Sequence, residues 1–295
     1  MQKRPIVIFD TSVHNRLLKD GLESEAIFAA LESGYLVRLA AISIDELIAT
    51  PDAEMRLRLL ATAGRLRQHE MSDCLHPQNE MLRLLIPAYE ANPQTFDWCR
   101  VTVSSREYEK EISARKFSSD DALAAEQRQH ISETRKEFNA VWSNARPLAG
   151  AILQRDGQAR PRSLSEILPH AMGENGVFWS MARGLYERAA KMPATDASIQ
   201  HFVEACPPFR CAVYAMLMAW YDRSLRDWNG GEKFHAGRND LFMAVYLPYC
   251  NQFVTAEQDG EQERCLAEVA RLAGVPTLVR SYDDFCCGLL LPLSA

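Results

Sequence analysis

Ile6-Val7-Ile8-Phe9-Asp10-Thr11-Ser12 is an unbroken apolar run of β-branched and aromatic residues that stops at an acid followed by two hydroxyl side chains. A run apolar at every position, instead of every second one, is the pattern of a strand buried on both faces of a parallel sheet. Outward from it, residues 24–31 carry helical alternation closed by Ser33-Gly34, and residues 35–42 supply a second strand. Ser43-Ile44-Asp45-Glu46 then has the form of a capping box, which predicts a helix start there with Glu46 in the first turn. The far end of the chain repeats the alternation. Residues 241–249 read as helix, Phe253-Val254-Thr255 as a short strand, 261–273 as an amphipathic helix ended by Gly274 and Pro276, and Thr277-Leu278-Val279 as the next strand. Alternating strands and helices predict an α/β fold, a parallel sheet flanked by helices and joined by right-handed crossovers.

The two ends therefore form one discontinuous α/β domain, 1–51 and 232–295, interrupted by a long all-helical insertion, 52–231. Across the insertion, helix-favouring Ala, Leu, Arg, Glu and Gln dominate, punctuated by prolines. Residues 106–142 are heavily charged and read as one or two exposed helices, whereas 209–225 is apolar enough for core. With 295 residues, 47% hydrophobic and 24% charged, the chain has material for a large core, and its 14 Gly and 14 Pro form no biased tract. A net charge of −6 provides no global field for a polyanion, so any nucleic-acid site must be local. No apolar stretch approaches the roughly 20 residues of a membrane span, and no membrane partner is expected. The N-terminal apolar run is too short for a signal-peptide core, and the eight cysteines show no CxxC pair, so a cytoplasmic protein with reduced, mostly buried thiols is expected.

The acids carry the chemistry. Asp10 follows the first strand and Glu46 the second, which places both at the carboxyl edge of a parallel sheet, where such folds bind ligands. Asp240 opens the helix before 253–255 and must be brought there by folding. Acids clustered without His or Cys form a hard-oxygen site suited to Mg²⁺ or Mn²⁺.

Ile8-Phe9-Asp10-Thr11-Ser12, Ile44-Asp45-Glu46-Leu47, Asn239-Asp240-Leu241 and the strand ending at Thr255, in this order, resemble the motifs of the PIN-domain nucleases. The segment 246–255 also looks like the larger PIN-like proteins, and Ser281-Tyr282-Asp283-Asp284-Phe285 sits where that family has a closing Asp-Phe turn. The family's last motif, Thr-x-Asp, reads Thr255-Ala256-Glu257 here, with Asp259 two residues beyond. The resemblance covers residues 5–50 and 235–287, leaving the helical middle outside it. It implies a PIN-like sheet and metal-dependent hydrolysis of phosphodiesters, in RNA before DNA, as an endoribonuclease. Asp10, Glu46 and Asp240 would be metal ligands, Glu257 or Asp259 a fourth acid, and Thr11, Ser12 or Thr255 would bond a ligand or a phosphate.

Each residue also has a plain structural use. Asp10 and Asp240 stand where helix caps stand, and Glu46 could bond back to its own cap. His14 and His235 are placed to touch a phosphate or to be ordinary histidines. Cys74-Leu75-His76 with His69 matches no closed zinc set, and Cys286-Cys287 reads as packing. Arg56, Arg58, Arg65 and Arg67, and then Arg146, Arg155, Arg160 and Arg162, form two candidate phosphate patches, with Trp142, Trp179 and Tyr186 as stacking or core aromatics. Two further readings stay open. One is a non-catalytic PIN-like binding protein using the helical insertion for a second copy or a protein partner. The other is a haloacid-dehalogenase-like phosphatase, which needs an acid where Ser12 stands.

Overall fold

The computed structural model describes residues 4–21, 23–66, 74–104, 121–155, 157–234, 241–257 and 260–290. Five strands, β1 (Ile6–Phe9), β2 (Leu36–Ala40), β3 (Cys74–Leu75), β4 (Gln252–Thr255) and β5 (Leu278–Ser281), pair in parallel in the order β3-β2-β1-β4-β5. The α/β class expected from the alternation is what the chain adopts. Along β1 the side chains alternate between two cores, Ile8 entering one and Val7 and Phe9 the other, as a period of two requires. Phe253 and Val254 of β4 divide in the same way.

One face is covered by α1 (Thr11–Asp20), α2 (Glu23–Gly34) and α12 (Tyr282–Leu290), whose Val13, Leu17, Ile27, Phe28, Leu31 and Phe285 pack on Val7, Phe9, Val37 and Val254. At the end of β2 the chain turns directly into α3 (Ala41–Ile48), two residues earlier than the Ser43 start that the sequence suggests. After α4 (Ala53–Leu66), which packs with α3 on Leu39 and Cys74, it reaches the two-residue edge strand β3 inside the 52–231 stretch.

Everything between β3 and β4 is one enlarged crossover. It runs through α5 (Gln78–Ala91), the 35-residue α6 (Asp121–Arg155), α7 (Leu164–Ala171), α8 (Val177–Ala190), α9 (Asp196–Ala205) and α10 (Pro207–Trp220). A π turn, Tyr221–Leu225, extends α10, and the stretch read as helix before β4 is a 3-10 helix, Met243–Tyr249, with Pro248 inside it. α11 (Glu261–Ala273) follows β4 and ends at Gly274, whose φ of 64° is the left-handed cap that a glycine adopts without strain. The crossover helices are not a separate layer. Ile8, Phe253, Leu266 and Val279 of the sheet unit share one continuous core with Leu85, Phe178, Phe202, Phe209 and Leu217. Among the described residues no helix is long and apolar enough to cross a membrane.

Candidate active site

The strand order reverses between β1 and β4, and the chain places an acid at that point. The Asp10 amide still bonds Val254 O at 3.1 Å, so the two strands stay paired to the last residue before the crevice. Asp10 is only 4% exposed. Its Oδ1 accepts from the Val13 amide at 3.1 Å, capping α1, and from Ser12 Oγ at 2.6 Å. Its Oδ2 accepts from Thr255 Oγ1 at 2.8 Å, across from β4. Ser12 Oγ in turn accepts from the Ala256 amide at 2.7 Å, and Thr255 Oγ1 also lies 2.6 Å from Gln262 Oε1. The single Thr255 proton serves one of those oxygens at a time. Asp10 thus caps a helix and holds the strand-end network at once, its charge favoured by the positive end of α1.

Glu46 is not a capping-box acid. Because β2 passes straight into α3, Ala40 is the cap residue, without a side-chain bond, and Ser43 sits buried inside the first turn with Oγ donating to Phe9 O at 3.3 Å. Glu46 Oε2 instead takes a short hydrogen bond from Thr11 Oγ1, which ties α3 to the residue after Asp10. Glu257, half-buried just past β4, has its amide 3.4 Å from Thr255 Oγ1. Asp240, Asp259 and His235 lie outside the described residues. Among the described residues no three His, Cys, Asp or Glu side chains converge as a metal-holding group. Asp10 directly after β1, Glu46 on α3 and Glu257 just past β4 all carry hard oxygen donors, the type that suits Mg²⁺ or Mn²⁺, without forming such a group.

Glu46 and Asp45 open onto a cavity of about 190 Å³ whose opposite wall comes from the crossover: Gln78 and Asn79 at the start of α5, and Gln127, His130 and Ile131 of α6. Gln78 is 4% exposed, and its Oε1 has no hydrogen-bond partner among the described residues. Nothing in its sequence neighbourhood distinguishes Gln78, and only the docking of α5 beside α3 makes it part of the site.

His14 faces no phosphate. It is buried on α1 with Nδ1 unpartnered among the described residues, and burial pulls its pKa from 6.5 down to about 4. The folded state thus keeps it neutral while the unfolded chain binds a proton below about 6.5. The contribution of His14 to stability should be nearly complete above pH 6.5 and fall by about 3 kcal/mol as pH drops from 6.5 to 4. His14→Leu should flatten that part of the pH profile of the urea midpoint; an unchanged slope would contradict the assignment.

Two arginines of the first patch are held in structural pairs. Arg56 is 2% exposed, its guanidinium held by Thr50 O at 2.7 Å and Asp121 Oδ1 at 2.8 Å. Arg65 makes a bidentate pair with Glu25 at 2.6 and 2.7 Å and lies over the Phe28 ring. Arg58 is exposed, and Arg67, His69 and the Arg155 side chain lie outside the described residues. Tyr186 is fully buried and donates to Glu90, and Trp179 packs on Phe178 with its indole N–H on Met172 O at 3.2 Å. These two aromatics are packing residues. Cys74, Cys206, Cys211, Cys250 and Cys265 are buried thiols that form no disulfide, and burial pushes Cys206 and Cys211 up to about 12, far from reactivity at neutral pH. Cys287 and Cys99 are exposed and Cys286 half-buried.

Fold and site together define a doubly wound parallel α/β protein with a buried carboxylate at its topological switch point. Compared with protein-family models, with curated proteins and with solved structures, the chain has no match.

Proposed function

We propose that the chain is a metal-dependent nuclease of PIN-like type that hydrolyses phosphodiester bonds, in RNA before DNA and by internal cleavage, with Mg²⁺ or Mn²⁺. The observation that carries this reading is Asp10: a carboxylate buried at the switch point of a parallel sheet, oriented through both oxygens by Ser12, Val13 and Thr255. Asp10, Glu46 and Glu257 would hold the ion, joined by Asp240 and Asp259 on the strength of their sequence positions. A divalent ion held there acidifies a bound water and neutralises charge on the phosphate. The protein's own part is orientation. Ser12 and Thr255 fix the Asp10 carboxylate, Thr11 fixes Glu46, and the crossover wall confines the substrate.

RNA is favoured by Gln78. Gln78 lines the cavity beside Glu46, its buried carbonyl oxygen has no hydrogen-bond partner among the described residues, and a turn of its side-chain amide would present that oxygen to a ribose 2′-hydroxyl, a donor that DNA lacks. Gln78→Leu should lower kcat/KM on RNA by about three- to tenfold, the worth of one neutral hydrogen bond, and leave any cleavage of DNA unchanged. An equal loss on both would remove Gln78 from sugar recognition.

The phosphatase alternative loses support from Ser12, which stands where the second acid is needed and spends its hydroxyl on Asp10. Asp283 lies 3.5 Å from Arg16, and Asp284 bonds Ser281 at the start of α12.

The deciding assay incubates the purified chain with labelled single-stranded and structured RNA and with single- and double-stranded DNA, in Mg²⁺, Mn²⁺ or EDTA. Cleavage only with metal supports the proposal. If nothing is cut and calorimetry shows no ion binding, the reading falls. The helical crossover, with Val141 and Leu148 exposed a heptad apart on α6, then becomes the surface for a second copy or another protein.

A further inference from the structure

A second cavity, of about 630 Å³, opens where α6 crosses the π turn after α10. Its wall holds Trp142, Arg146, Arg160, Arg223, Arg226 and Trp228, and it shares no residue with the cavity beside Glu46. Among the described residues Asp222 is the single carboxylate lining it, and Arg226 takes that carboxylate at 2.9 Å. Among the described residues, Arg146 and Arg160 meet no carboxylate at ion-pair distance. Their donors rest on carbonyls: Arg146 on Arg226 O at 3.4 Å, and Arg160 on Ser224 O at 2.9 Å and Leu225 O at 3.1 Å.

The two guanidinium groups are seated by the fold. Arg146 lies on the Trp228 indole with its Cζ 3.5 Å from the ring centroid, which fixes the plane of its fork. Arg160 packs so closely on α6 that a Cβ at Gly150 would fall 2.6 Å from its Nη2. Trp142, 9% exposed, has an Nε1–H with no hydrogen-bond partner among the described residues, and leaving a buried donor unpaired costs about 1–3 kcal/mol. The positive charges also press on one another. The Arg146 pKa is drawn down by burial first and then by Arg160 and Arg226, against a smaller opposite pull from Asp222 and Asp227.

We infer that this cavity binds a phosphomonoester of nucleotide size, with the phosphate between Arg146 and Arg160 and the base against Trp228. Two oriented guanidinium forks that meet no carboxylate at ion-pair distance among the described residues match a dianion with several acceptor oxygens better than a single carboxylate. The volume is that of a small-molecule pocket, larger than a bare ion fills, and Trp228, 58% exposed, offers indole surface on which a base stacks. The same chemistry arrives as a free nucleotide or as the 5′-phosphate end of a strand. The site stands apart from the nuclease proposal and does not depend on it.

Calorimetry on the full chain in EDTA, where metal-dependent cleavage cannot intrude, tests the inference. The titrants are inorganic phosphate, a nucleoside, its 5′-monophosphate, and short oligonucleotides with a 5′-phosphate or a 5′-hydroxyl. The monophosphate should bind at least tenfold more tightly than phosphate or nucleoside, and Arg146→Gln should weaken it at least tenfold. Trp228→Ala should reduce its affinity toward that of phosphate alone, while Arg162→Gln, which removes the partner of Asp227, should leave it unchanged. Gly150→Ala keeps every arginine but displaces Arg160, and should reproduce the loss in a chain whose circular dichroism is intact. A phosphorylated oligonucleotide tighter than the monophosphate identifies a strand end, and equal affinities identify a free nucleotide. No binding at millimolar ligand, binding indifferent to the phosphate, or full affinity in folded Arg146→Gln would overturn the inference.

Discussion

Asp10→Asn should lower metal-dependent kcat/KM on RNA by about 10³-fold, equivalent to some 4 kcal/mol of transition-state stabilisation, while the urea midpoint hardly moves. The two effects separate because the residue has two jobs. Asparagine caps a helix as well as aspartate, so its Oδ1 can still accept from the Val13 amide and Ser12 Oγ. At the other atom an NH2 group would face Thr255, whose hydroxyl can turn its proton toward Gln262 Oε1, already 2.6 Å away, and accept from the new amide. The network closes again without the negative charge, and only chemistry that needs the charge is lost. Asp10→Ala is the contrast: it removes the cap, worth about 1 kcal/mol, and takes away the acceptor of the half-buried Ser12 hydroxyl, while Thr255 keeps Gln262. Kinetics and urea unfolding on both variants check this. An Asn variant that is folded and fully active would remove Asp10 from catalysis.

Phe202→Ala should destabilise the fold by about 3–5 kcal/mol, the range for deleting a buried aromatic ring. Phe202 is fully buried where α5, α8, α9 and α10 meet, with ring centroids 4.8 Å from Tyr89, 5.3 Å from Tyr186, 4.8 Å from Phe209 and 5.9 Å from Phe96. Four backbones would have to move to refill the void, so little of the lost contact is recovered. Because these helices share their core with Ile8 of β1 and Phe253 of β4, unfolding should remain one transition shifted to lower urea. Two separated transitions would show that the crossover helices and the sheet fold as independent bodies.

The parts legible in the sequence are those written within a few residues. The all-apolar run at β1 declares a strand buried on both faces, Gly274 marks the end of α11, and Asp10, directly after β1, is placed at the ligand edge by register. The parts misread there are those that depend on a neighbour far along the chain. Ser43 has every local mark of a cap, yet it donates to Phe9 O, 34 residues earlier, and so Glu46 bonds Thr11 instead. The stretch from Arg56 to Arg67 looks like a phosphate patch until Asp121 and Glu25 arrive beside Arg56 and Arg65.

Local pattern by itself therefore determined the α/β class, the two-sided burial of the sheet and the position of its first acid, because periodicity and capping act over one or two turns. The tertiary structure alone decided the strand order, the two-residue β3, the Gln78 wall opposite Glu46, and the gathering of Arg146, Arg160, Arg223 and Arg226 around one cavity. Those features are contacts between segments tens to hundreds of residues apart, formed when apolar faces of different elements find a common core, and no local window of the chain contains both partners.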